Sequence, residues 1–240
     1  MHMKKHLYKI VLFFLLTCCV ACDETDPYFD LQNGDNLQLF DHYIDEYGNE
    51  GVVMYVRNAS TWYQTASYKM VISLDEGYDS WGPVELLVYK CDSVRYSDVI
   101  LKDYGVAMHQ LMHHIGIEKF PAQAWCHKKN MNEKHPWAGS WRLPTISEWM
   151  YVNNHITDLN TALIKYGGTP LNKNQMYWTC LEDYDQVLEI NGEVNQTYDP
   201  MNNAVALTPT YKVVDGKNKW LKSNKHNVRA IKYIYYQVKE

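Results

Sequence analysis

Residues Trp141 to Trp149, W-R-L-P-T-I-S-E-W, constrain this chain more than any other stretch. Thr145 and Glu148 have the T-x-x-E spacing of a capping box. In that arrangement each side chain takes up a backbone N–H that a helix start leaves without a partner. Apolar residues follow, and Gly167-Gly168 supplies a stop. The spacing predicts a helix from Ile146 to about Tyr166, with Pro144 setting its entry and Leu143 and Trp149 in the core. Arg142 is expected to hydrogen-bond neighbouring carbonyls. A segment this explicit identifies a fold and not a site.

Strand patterns lie on both sides of it. Gly51–Val56 is β-branched and aromatic, and Tyr68–Leu74 alternates polar with apolar residues. Asp75–Pro83 reads as a loop and Val84–Tyr89 as a short strand. Val106–Ile115 and Pro121–Lys128 have helical spacing, Pro121 being tolerated in a first turn. Met176–Leu181, Ala204–Leu207 and a long terminal run, Val228–Val238, read as strands. Helices in the middle with strands around them predict an α+β domain. The 46% hydrophobic and 21% charged composition suits a folded core, and a net charge of −5 argues against broad nucleic-acid binding. Twenty tyrosines and eight tryptophans suit β-rich folds and exposed recognition surfaces.

The amino terminus carries an address. Lys4, Lys5 and Lys9 precede an apolar run, Ile10–Leu16, that is too short to span a bilayer, which takes about 20 residues. Cys22 follows Cys19-Val20-Ala21, which resembles a bacterial lipobox; Leu15-Leu16-Thr17-Cys18 is a competing register. We read residues 1–21 as a lipoprotein signal peptide and Cys22 as the lipidated residue that attaches the chain to membrane lipid. Cleavage removes three lysines and takes the net charge from −5 to −8. Residues 22–46 read as an acidic tether: nine acids and no Lys or Arg occur between Asp23 and Glu50. Acids directly after the cysteine resemble the surface-export signal of Bacteroidetes lipoproteins, whereas in enterobacteria an Asp there favours inner-membrane retention. The former reading gives a lipid anchor in a bacterial outer membrane, facing outwards.

The order of the motifs carries a family resemblance. G-V-V-M-Y-V at 51–56 is followed by the Trp81 loop, Ala124-Trp125-Cys126, the segment ending at Trp149, Y-W-T-C at 177–180, and N-V-R-A-I-K at 227–232. Over residues 47–240 this resembles the DUF1566 domains of bacterial surface proteins, and more distantly the formylglycine-generating enzymes. The resemblance implies a C-type lectin-like fold with mixed or antiparallel sheets, two main helices, and amino and carboxy strands adjacent. It also implies that the helix after Thr145 packs on one sheet holding both Met176–Leu181 and Val228–Val238. Related domains pair a cysteine of the first helix with one in the last strand. Here that strand has Ala230, which leaves the choice among Cys91, Cys126 and Cys180 open.

No catalytic set is recognisable. The formylglycine-generating chemistry needs cysteines near the terminal strands, and the last cysteine here is Cys180. H-Q-L-M-H at 109–113 resembles the zincin motif, but Gln110 replaces the general base, and His113 and His114 read as helix-surface residues. Glu182, Asp183 and Asp185 offer oxygen ligands for calcium and read more simply as a solvated acidic loop. Lys212, Lys217, Lys219, Lys222, Lys225 and Arg229 read as a solvated basic face. We therefore expect a non-enzymatic binding module with no metal and no cofactor. Tyr184, Tyr198, Tyr211 and Trp220 would meet a glycan or protein ligand, although Tyr211 and Trp220 read equally well as core. The alternatives are an assembly subunit, such as a pilus tip or surface-complex component, and a diverged envelope enzyme of the formylglycine-generating fold. The anchor is directly testable. Cys22→Ala should abolish incorporation of labelled lipid and either release the protein or accumulate its precursor; unchanged membrane fractionation and labelling would refute the assignment.

Overall fold

The computed structural model describes residues 36–57, 67–88, 102–130, 139–183, 189–190, 193–194, 199–210 and 219–236. Cys22, Cys91, Tyr184, Asp185, Tyr198, Tyr211, Lys212 and Lys217 lie outside them.

Among the described residues three α-helices and two main sheets make a mixed α+β arrangement. The first sheet has the order β1-β2-β3-β11, from His42–Ile44, Glu50–Arg57, Ser67–Ser73 and Ile231–Tyr236, and is antiparallel throughout. The second has the order β4-β10-β5-β8-β9, from Gly77–Ser80, Lys225–Val228, Tyr177–Glu182, Asn203–Leu207 and Lys219–Leu221. Its β10 and β5 run parallel, and its other pairs are antiparallel. A small hairpin, β6 (Glu189–Ile190) and β7 (Glu193–Val194), stands apart. The helices are α1 (Lys102–Gly116), α2 (Pro121–His127) and α3 (Ile146–Lys165). Among the described residues no helix is long and apolar enough to cross a membrane.

The Trp141–Trp149 segment stands between the two sheets and bonds to both. Arg142 exchanges backbone hydrogen bonds with Ile231 of β11, both at 2.9 Å, while Pro144 O accepts from Cys180 N of β5 at 2.8 Å. The capping box forms: Thr145 Oγ1 accepts from Glu148 N, and Glu148 Oε2 accepts from Thr145 N at 2.6 Å. Arg142 does more than bond a carbonyl. Its guanidinium donates to Leu143 O and to both Glu148 oxygens, at 3.0 and 2.7 Å, and Tyr233 Oη donates to the same carboxylate at 2.7 Å. Arg142 and Glu148 are each 1% exposed, so water contributes almost nothing and the protein supplies every partner. Burial opposes the charge on Glu148, yet Arg142 and the bonds from Thr145 and Tyr233 hold its carboxyl below the usual range. α1 lies flat on this pair: a Cβ at Gly105 would stand 2.5 Å from Arg142 Nη1. Leu143, Trp149 and Trp141 are fully buried.

α3 ends as its sequence predicts. Gly167 takes a φ of +79°, open to glycine without strain, and Gly168 N bonds back to Leu163 O. The helix packs on β2, with Trp149 against Tyr177 of β5.

Six expectations need correction. Val228–Val238 is not one strand: it divides at Arg229-Ala230, where the chain leaves the second sheet as β10 and enters the first as β11. Arg229 occupies that crossing, fully buried, donating to Ser73 O, Leu74 O and Thr169 O and pairing with Glu76 at 3.0 Å. Met176–Leu181 and the terminal strand therefore lie in different sheets, and β3 separates β2 from β11. The expected loop at 75–83 contains β4, whose polar residues pair with β10 at a sheet edge. Residues 84–88 are irregular rather than a strand, because Glu85 is left-handed at φ +62° and Val88 N bonds a side chain, Glu182 Oε1. Lastly, the first strand begins at His42, inside the segment assigned to the tether. Asp45 there is 7% exposed, accepting from Tyr47 N, Asn49 N and Trp141 Nε1, which stitches the acidic stretch into the core. Cys126 and Cys180 are free, buried thiols, and burial raises both, Cys180 to about 12.

Glu148→Gln should destabilise the domain by about 3–5 kcal/mol in urea unfolding, because Arg142 stays buried without its counter-charge. The depressed carboxyl contributes fully above its unfolded value of 4.5 and is lost as pH falls through the lower folded value. The difference between wild type and variant should therefore narrow below that pH. A constant difference would refute the charge-based account.

Candidate functional site

Trp220, one of the four residues expected to meet a ligand, lies on the second sheet near two buried ion pairs. Lys222 Nζ meets Glu182 Oε1 at 2.5 Å and donates to Leu86 O at 2.6 Å, with its ammonium 4.9 Å from the centre of the Trp81 ring. Lys219 Nζ meets Asp183 Oδ1 at 2.5 Å, and both side chains are 5% exposed or less. Burial lowers Lys222, and the Glu182 carboxylate works against that lowering. The solvated acidic loop and the solvated basic face are thus both corrected at these positions. Glu182 and Asp183 point inward and are neutralised by two lysines from β9 and the turn after it. Arg229 is likewise buried, while Lys225 is 58% exposed beside Asp79.

These pairs gather the ends of the long insertion. Asp183 Oδ2 accepts from Asp199 N at 2.8 Å while its other oxygen meets Lys219. Residues next to Tyr184, next to Tyr198 and next to Trp220 therefore converge on one carboxylate. Of the four residues expected to bind ligand, only Trp220 is described. It is half-buried on edge strand β9, with its ring edge-on to His226 at 5.0 Å, and His226 in turn meets Trp178 at 4.6 Å. Trp178 is core, its Nε1 donating to Asp79 O. Trp220 Nε1 and His226 Nε2 are buried without a hydrogen-bond partner. Burial holds His226 down to about 4, so its ring is neutral at pH 7. A neutral imidazole packed edge-on to a half-buried indole suits stacking, not capture of an anion.

One concavity went unread in the sequence. An open cleft of about 400 Å³ lies between the β1–β2 turn and the end of α3, lined by Asn49, Glu50, Asp75, Lys129, Tyr166 and Thr169. Its charges are matched internally: Lys129 reaches both Asp75 oxygens at 2.7 and 2.6 Å, and His42 meets Glu50 at 2.7 Å while stacking on Tyr166. Gly167-Gly168 was visible as a helix stop, but nothing in the sequence says that it faces the β1–β2 turn.

No family model matches the sequence, and no curated protein matches it. Among solved structures the fold is similar to a fimbrial protein from Bacteroides ovatus, with a TM-score of 0.53 and 14% identity. The match covers 81% of this chain and 48% of that one, so this chain spans about half the length of its structural neighbour. A likeness at that identity is one of α+β fold.

The buried pairs yield a prediction. Lys222→Met strands Glu182 in the interior and should cost about 3–5 kcal/mol, whereas Lys222→Met with Glu182→Leu should recover most of it. Urea titration of the three proteins checks this, and equal losses in single and double variants would refute it.

Proposed function

We propose that this chain is a non-catalytic surface lipoprotein, anchored in the outer membrane through Cys22. Its lectin-like, DUF1566-like domain would bind a glycan or protein through the face around Trp220. The observation that carries the reading is the half-buried Trp220 ring, packed edge-on to His226 at the point where the insertion's ends converge. Rigid aromatic anchors with a polar edge are the residues from which recognition faces draw most of their energy. The outer-membrane address rests on the lipobox-like cysteine and the acids that follow it.

A second reading, assembly subunit of a surface structure, is favoured by one finding: the structural neighbour is a fimbrial protein. In that reading the same face docks another protein. β9 supports it, since an edge strand has backbone groups to offer a neighbouring chain.

A glycan array and a surface pull-down with the full chain separate the two. Trp220→Ala should weaken capture at least about tenfold, because a central aromatic anchor contributes about 2 kcal/mol or more. Its stability loss should stay below the roughly 3–5 kcal/mol of a fully buried tryptophan, since the ring is partly exposed. Unchanged capture by a stable variant would place the binding face elsewhere.

A further inference from the structure

Away from the Trp220 face, the α1–α2 pair brings three histidines together. His109 and His113 are one turn apart on α1, and His127 is the last residue of α2. His109 Nε2 and His127 Nδ1 share a hydrogen bond of 3.0 Å. Their ring centroids are 5.2 Å apart at 78°, and the His113 ring lies 5.3 Å from His127 at 58°. Imidazoles on one tetrahedral ion, with metal–nitrogen distances of about 2.0–2.1 Å, have ring centres about 5 Å apart. Both ring pairs already have that spacing. The 3.0 Å nitrogen separation is a few tenths of an ångström short of the roughly 3.4 Å between two tetrahedral ligands.

Arg142, the cation packed closest behind His109, is matched by Glu148. His109 is buried, His127 half-buried and His113 exposed, so the three lead from the core to solvent and give an ion a path in. Among the described residues no three such side chains form a complete ligand set as they stand, so binding requires the His113 ring to move.

We propose that His109, His127 and His113 form a binding site for a borderline divalent transition metal, zinc foremost, with water in the fourth position. Three imidazoles suit zinc, copper or nickel, and a near-tetrahedral arrangement selects zinc among them. Gln110 stands where a zincin has its general base, so the site would brace α1 against α2 and not hydrolyse a substrate.

The test is titration of the metal-stripped full chain with zinc chloride by calorimetry and with cobalt(II) by absorption. One equivalent of zinc should bind, and cobalt should give tetrahedral d–d bands without thiolate charge transfer, which separates this site from one built on cysteines. His113→Ala, an exposed change, should weaken zinc at least about tenfold with an unaltered melting curve, and adjacent His114→Ala should bind as the wild type does. His127→Ala should lose binding, with circular dichroism confirming the fold. Absence of binding up to about 100 µM zinc, a thiolate band, or wild-type affinity in His113→Ala would overturn the proposal.

Discussion

The buried contact between Arg142 and Glu148 is the constraint on which the rest of the domain depends. Two charges that are 1% exposed lose nearly all their hydration, and only a full set of partners compensates for that loss. Here the partners come from different places: a helix cap at Thr145, a carbonyl at Leu143 and a hydroxyl on β11. Satisfying the pair therefore fixes where α3 starts and how far β11 advances. Because Arg142 also bridges to Ile231, and Pro144 to Cys180, the same nine residues set the separation of the two sheets.

What could be read in advance follows from the range of the interactions. The Thr145–Glu148 box and the stop at Gly167-Gly168 are local, and the helix they delimit is observed at Ile146–Lys165. Sheet membership is not local. Val228–Val238 looks like one apolar strand because the crossing at Arg229-Ala230 leaves the alternation nearly intact; only the contacts of Arg229 with Ser73, Leu74 and Thr169 reveal it. β4 was hidden for the opposite reason, its four residues Gly-Tyr-Asp-Ser being turn-like in composition while lying at an edge.

The charged residues near Trp220 show the same limit more sharply. Lys219, Lys222, Glu182 and Asp183 read as two solvated charge clusters, since about 40 residues separate acids from bases and side-chain pairing leaves no periodic trace. Once paired they lose their net charge, and the charges left exposed beside His226 are those of Lys225 and Asp79, which pair with each other. Trp220 was legible as a candidate; its partner His226 was not, because an alternating strand supplies no hint that the ring will be dehydrated.

The crossing at Arg229-Ala230 has a consequence for biogenesis. Ala230 N bonds Ser73 Oγ across 157 residues of sequence, and β11 closes the first sheet on β3. Neither sheet can be completed until those last strands are available, and pairings of such long range are slow to form. A chain of this topology stays open while it is being made. The domain therefore folds as a unit only once β10 and β11 have arrived.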